Sequence, residues 1–278
     1  MIFYLLKHIN SQLHFPGIGL IDYISFRAAI SAVFSLFISI FWGKAFITYL
    51  KKINAKDKVR DKNIKQDIKK KEQTPSMGGL IIALSTLLPT LLFAKVKNIY
   101  VILLVFTTIW MSFIGFCDDY IKIFKGKKGG ISGWIKIVGQ FVLGIVVSIT
   151  LLFHKDVIIR ERITANDSIN NEVTIKQLKD IKSRKTNVPF FKGNELDYDK
   201  LFKSIFPFLG KYIWVIYVLF ITFIITSVSN GANLTDGLDG LAAGTSSVIA
   251  LTLAILAYLS GNVNFANYLN ILQQPSKP

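Results

Sequence analysis

The chain has 278 residues, of which 51% are hydrophobic and only 18% charged, a balance too apolar for an ordinary soluble domain. A net charge of +16 raises nucleic acid as a partner, but the basic residues lie in loops between apolar runs and not on a recognition fold, which argues against that partner. The single cysteine, Cys117, can close no internal disulfide and reads as a small apolar residue in a helix.

In chain order, the opening "MIFYLLKHIN" lacks a basic start, a long apolar stretch and a small-residue cleavage site, so it reads as retained and not as a signal peptide. Charge-free apolar runs then fill residues 28–43, 77–94, 98–117, 137–153, 212–235 and 240–276. Most reach the roughly 20 residues that a helix needs to cross a hydrocarbon core. The first can extend past Arg27 and Lys44, whose side chains snorkel. The expectation is an all-α, polytopic helical membrane protein with about six spanning helices, a single integral membrane domain over residues 1–278. Residues 154–210 form an outer-side insertion within it.

Two short loops, residues 51–72 and 120–130, are strongly basic, and the positive-inside rule makes both cytoplasmic. The N-terminus then lies outside, and polar clusters around Thr74, Asp118 and Asp236 all fall on the cytoplasmic face. The mixed charges of 154–210 do not contradict this, because long loops translocate largely regardless of charge.

Those clusters suit one kind of chemistry. In "GFCDDYIK", Asp118 and Asp119 close an inward-running helix, where the macrodipole disfavours negative charge, so something must compensate them. A solvated acidic turn is the plainer alternative, and two adjacent aspartates alone are weakly specific. In "NLTDGLDG", Asp236 and Asp239 share a face if the segment is helical, Asn233 adds an amide, and Gly237 and Gly240 let backbone approach a ligand. A helix cap would explain one of these aspartates but not the whole set. "KKKEQTPSMGGL" places Lys69, Lys70 and Lys71 before Thr74 and a Pro75 suited to a helix start, a place that can bind an anion or simply orient the chain. "KGKKGGISGWIKIVGQ" adds Lys127, Lys128 and Lys136, able to balance phosphate charge or to act as topology anchors. Carboxylates that hold a divalent ion and lysines that neutralise phosphate together fit phosphoryl transfer, with a lipid as one reactant.

"KEQTPSMGG", "GFCDDYIK" and "SNGANLTDGLDGLAAG" resemble, in this order, the signatures of the polyprenyl-phosphate N-acetylhexosamine-1-phosphate transferases. The "TPSMGG" and "NLTDGLDGLA" wording is most similar to the branch that acts on UDP-MurNAc-pentapeptide. The resemblance implies transfer of phospho-MurNAc-pentapeptide from its UDP carrier to undecaprenyl phosphate, giving lipid I and UMP in peptidoglycan synthesis. It also implies a bacterial inner (cytoplasmic) membrane enzyme that requires magnesium (Mg2+), with a homodimer as the family's assembly. Carried over position by position, Asp118 activates or positions the lipid phosphate, with Asp119 beside it at the metal or phosphate site. Asn233, Asp236 and Asp239 stand on the nucleotide and metal side, with Asp119 and Asp236 as metal ligands and Asp118, Asp119 and Asp239 as the catalytic set. Lys70, Thr74 and Lys136 line the phosphates, although Lys69 or Lys71 could equally match the family lysine.

The family pattern continues into further helices with a "GDTGS"-like motif and a histidine-rich loop, neither of which this sequence carries. His8, His14 and His154 fall on the outer side, so the expectation is a C-terminally shortened and inactive version. The alternatives are a sister enzyme that transfers a GlcNAc-type phosphate, a transporter or channel, and a non-catalytic remnant. A transporter predicts charged positions at mid-membrane, whereas these carboxylates cluster at helix ends.

Overall fold

The structure, a computed structural model, describes residues 2–13, 17–53, 77–127, 129–166, 173–188, 194–236 and 240–274. Its helices are α1 (Ile2–Leu13), α2 (Ile24–Lys52), α3 (Gly79–Phe93), α4 (Ile99–Phe124) and α5 (Gly133–Phe153), then α6 (Tyr198–Ile205), α7 (Ile213–Thr235), α8 (Leu241–Ser260) and α9 (Val263–Tyr268). Between α5 and α6 lie four short strands, β1 (Ile159–Asn166), β2 (Val173–Ile181), β3 (Lys185–Asn187) and β4 (Glu195–Asp197). Two compact units result, Met1–Gly139 and Gln140–Pro278, with α5 beginning in the first and continuing in the second.

Among the described residues five helices, α2, α4, α5, α7 and α8, are long and apolar enough to cross a membrane. The expected helical membrane protein is therefore present, with two adjustments. The run at 77–94 gives only the 15-residue α3, about 22 Å of helix against a hydrocarbon core of about 30 Å. The run at 240–276 does not stay helical to its end, because Asn262 starts a new helix by accepting from the N–H groups of Asn264 and Phe265 at 2.9 and 3.3 Å. α8 accordingly stops at Ser260.

In the first unit, each end of the bundle is fixed by contacts. At one end Leu50, near the close of α2, and Met77, just before α3, form a buried pair joined by Phe46 and Ile123 of α4. At the other end the N–H of Lys97 donates to the Tyr4 hydroxyl at 3.3 Å, and Arg27 stands 4.9 Å over the Phe3 ring. The residues that bracket 54–76 thus sit at the end of the unit reached by the last turns of α4, as the alternation of spans requires. The backbone carbonyl of Gly139 accepts from the Trp110 indole at 3.0 Å, which ties the start of α5 to α4.

In the second unit, Gly144 on α5 meets Thr222 on α7 so closely that no side chain fits between them. Ser148, fully buried, donates to the Gly144 carbonyl at 2.6 Å and reaches the Val218 carbonyl at 3.4 Å. One turn nearer the start of α5, Gln140 and Asn230 exchange amide hydrogen bonds of 3.0 and 3.4 Å, and Gln140 also donates to Ser229 at 2.9 Å. Small residues at the crossing with polar groups beside it are how helices adhere in lipid, where burial of apolar surface supplies no drive.

The segment read as an outer loop has its own structure. β1 and β2 pair antiparallel from Ile159↔Ile181 to Asn166↔Val173, with a register shift between Ile163 and Thr164. β3 and β4 form a second antiparallel pair, and Asp197 then caps α6 by accepting from the N–H groups of Asp199 and Lys200. Tyr198 and Phe202 of α6 close a core with Leu152, Ile213 and Tyr217. Residues after α9 return to this layer, since the Arg160 N–H donates to the Gln273 carbonyl at 2.9 Å and the Leu272 N–H to Asn187 Oδ1 at 2.9 Å. Two crossings, α7 and α8, separate these contacting segments, so they share a side as the alternation demands.

Candidate active site

Asp118 is a closely held carboxylate of the first unit. It lies on α4, which does not end at Cys117 as the apolar run suggests but continues to Phe124. Only 7% of Asp118 is exposed, a low value for a residue type that is seldom buried without partners. Its partners are Lys122 Nζ at 2.7 Å on Oδ2, Lys136 Nζ at 2.8 Å on Oδ1, and the Ile131 N–H at 2.8 Å on Oδ1. The compensation that a carboxylate near a helix C-terminus demands is therefore supplied by two ammonium groups and one amide.

Each partner has a local cause. Lys122 follows Asp118 by four residues and so sits on the same helix face, in the last turn where cations suit the macrodipole. Lys136 occupies the first turn of α5. The connection folds back over the carboxylate through Gly126 and Gly130, which adopt φ of 64° and 66°, a region open to glycine at little cost. The turn is closed by the Gly130 N–H donating to the Lys127 carbonyl at 2.9 Å. A Cβ on Gly130 would collide with the Asp118 carboxylate and with Lys122 Cε at 2.8 Å.

Gly130→Ala is therefore expected to open the turn and separate Ile131 from Asp118. The cost is about 1–3 kcal/mol from left-handed strain plus overpacking. Thermal unfolding of the purified variant checks it, and an unchanged midpoint would show that the turn does not pack on Asp118.

The other sequence-derived positions divide. Asp119 follows Asp118 on α4 and is half-buried. Lys136 is brought onto Asp118, 2.8 Å from its Oδ1. In the second unit, Asn233 is exposed on the last turn of α7, and Asp236 is its exposed C-cap residue, with φ −77° and ψ 57°. Asn230, held by Gln140, lies one turn earlier on the same helix. Lys70, Thr74 and Asp239 lie outside the described residues, as do Lys69 and Lys71.

Sequence reasoning missed Lys122, Gly130 and the Ile131 amide. The spacing of Asp118 and Lys122 was a readable signal; the folded-back glycine turn was not. Among the described residues no three of His, Cys, Asp and Glu gather as a metal-binding group. What this end of the first unit offers chemically is a buried carboxylate with two flexible cations, 28% and 25% exposed, able to exchange that partner for an arriving anion.

Comparison with known proteins places this geometry in a family. Residues 101–273 match the family described as glycosyl transferase family 4. The chain is 54% identical over 280 residues to the phospho-N-acetylmuramoyl-pentapeptide-transferase of Amoebophilus asiaticus, covering 99% of this chain and 68% of that protein. It is 48% identical to the protein of the same name from Flavobacterium psychrophilum, again over 99% of this chain and 68% of that one. The Bacteroides fragilis protein so named is 46% identical, with 99% and 65% covered. The matched portion is thus about two thirds of those relatives' length, and it includes α4, the turn over Asp118, and α7 with Asn233 and Asp236. The chain therefore belongs to glycosyl transferase family 4, among the phospho-N-acetylmuramoyl-pentapeptide-transferases.

Proposed function

We propose that the protein moves phospho-MurNAc-pentapeptide from UDP-MurNAc-pentapeptide to undecaprenyl phosphate, releasing UMP and forming lipid I. The observation that carries the reading is the buried Asp118 held between Lys122 and Lys136 at the α4 end of the first unit. In the reaction, a new bond joins the lipid phosphate to the sugar-bearing phosphorus while the diphosphate bond to UMP breaks. Lys122 and Lys136 donate to phosphate oxygens as those oxygens compete with Asp118 for the ammonium groups. Asp118, released from one lysine, accepts from or orients the lipid phosphate, with Asp119 beside it. Lys70 and Thr74 extend this phosphate lining, and Asn233, Asp236 and Asp239 serve the nucleotide side.

Magnesium is part of the proposal. Hard carboxylate oxygens are the donors it takes, and Asp119 and Asp236 offer them; when bound, it would neutralise the diphosphate. Since the described residues bring no such group of three together, the ion is proposed from donor chemistry alone. The active face is proposed to be cytoplasmic, in the inner membrane of a bacterium, because the positive-inside rule assigns both basic loops to the cytoplasm and one of them follows Asp118 directly. A homodimer and a role for 154–210 as an outer insertion without catalytic duty complete the reading.

Detergent-solubilised protein of its relatives' full length, given undecaprenyl phosphate and either UDP-MurNAc-pentapeptide or UDP-GlcNAc, is expected to release UMP only with the former, whereas residues 1–278 by themselves are expected to release none. The release should cease with a chelator and return with magnesium. Equal release from UDP-GlcNAc would move the assignment to the sister enzymes, and no release from either would favour a non-catalytic remnant.

A further inference from the structure

The end of the first unit opposite Asp118 carries an unexplained cluster of positive charge. Lys7, Arg27 and Lys95 gather near one carboxylate, Asp22, and Lys97 stands over the ring of Tyr4, which itself lies beside Arg27. Arg27 is satisfied, donating to the carbonyls of Ile21 and Asp22 at 2.7 and 3.0 Å. Lys95 and Lys97 are not: among the described residues neither has a carboxylate within ion-pair distance. Each lies instead over an aromatic face, Lys95 at 5.6 Å from the centre of the Phe3 ring and Lys97 at 5.5 Å from that of Tyr4. Burial pushes the Lys95 ammonium below the usual lysine range, and the nearby charges of Arg27 and Lys7 push it the same way.

The position sharpens the question. This end is separated from the basic loops by the length of α2, 29 residues or about 43 Å, so the cations stand on the side where the positive-inside trend disfavours them. The same segments carry exposed side chains, with Leu5 on α1 and Tyr23 and Ile24 at the start of α2 each 60% exposed or more. Phe3, only 3% exposed, fastens α1 beneath the lysines.

We propose that this end of the first unit holds an acidic phospholipid, its headgroup phosphate seated between Lys95 and Lys97 and its acyl chains against Leu5, Tyr23 and Ile24. Charge complementarity selects an anion, since among the described residues Lys7, Arg27 and Lys95 share the one carboxylate of Asp22 and Lys97 adds a further cation beside them. The exposed apolar rim selects a lipid over a free ion, because acyl chains cover that rim and inorganic phosphate cannot. The ring faces of Phe3 and Tyr4 hold the ammonium groups in place, and basic side chains near a membrane surface attract acidic lipid. The site is independent of the transferase chemistry at the other end of the unit.

The test is native mass spectrometry of the protein exchanged into equal amounts of phosphatidylglycerol and phosphatidylcholine. The parent is expected to retain phosphatidylglycerol preferentially. Lys95→Gln with Lys97→Gln should cut that preference by about tenfold, from the loss of two surface cations. Lys95→Arg with Lys97→Arg should keep it, and the exposed pair Lys155→Gln with Lys182→Gln should leave it unchanged. A glutamine double variant that keeps the parental lipid ratio overturns the proposal. So does an equal fall in the Lys155 and Lys182 control, or inorganic phosphate at millimolar concentration displacing the lipid as well as soluble phosphatidylglycerol does.

Discussion

Asp118→Asn is expected to lower UMP release by about a thousandfold or more, the scale seen when a preorganised charged or hydrogen-bonding group is removed from a transition state. Asparagine can still accept from the Ile131 N–H, so the turn over α4 should persist. It cannot neutralise Lys122 and Lys136 as the carboxylate does, so two ammonium groups lose their shared counter-charge. Because both lysines keep partial access to solvent, the folding penalty is less than for a fully buried ion pair, about 1–3 kcal/mol. Measuring turnover and thermal unfolding on the same preparation separates the two effects. A large loss of rate with a modest loss of stability is the predicted pattern. A rate within about threefold of the parent would remove Asp118 from the chemistry and leave it a structural anchor for the α4–α5 connection.

The sequence made parts of this arrangement visible because they follow from local rules. Apolar runs close to or beyond the length a bilayer needs read as helices in lipid, so α4, α7 and α8 were legible from length, and α2 and α5 once the basic residues at their ends were allowed to snorkel. Asp118 and Lys136 stood out because a charge beside a span calls for a reason. What stayed hidden depends on non-local pairing. Nothing near Gly130 in sequence says that its missing Cβ makes room for a carboxylate twelve residues earlier. The hairpin of β1 and β2 was read only as loop, since its alternation of Ile159, Arg160 and Glu161 is short and charged, and strand pairing is decided by context. α1 was missed for a related reason: twelve residues make a marginal helix alone, and Phe3 must pack under Arg27 before the helix is stable. The site shows the same division, since residue types were readable but the partners that hold them were not.

Gly144→Val should be the most damaging single change in the second unit. Even a bare Cβ at this position would stand 2.7 Å from Thr222 Cγ2 and 2.8 Å from Thr222 Cα. The second of these atoms is backbone, so no rotamer of Thr222 relieves the clash, and α5 and α7 must move apart. Separation weakens every contact that relies on the close crossing. Ser148 loses its reach to the Val218 carbonyl, already at 3.4 Å, and one turn away the amide pair of Gln140 and Asn230 is stretched. Those groups have no water to turn to inside a bilayer, so their loss adds to the steric cost. The expected destabilisation is about 3 kcal/mol, the upper part of the range for overpacking. That corresponds to a fall of about 8 °C in the unfolding midpoint for a unit of this size. Ser148→Ala, which removes one hydroxyl and leaves the crossing intact, should cost only about 1 kcal/mol. Because Asn233 and Asp236 follow Asn230 on the same helix, Gly144→Val should also raise the KM for the UDP substrate, whereas Ser148→Ala should not. A valine variant as stable as the parent would show that α5 and α7 do not cross at Gly144, and the orientation of the last turn of α7 would then need another cause.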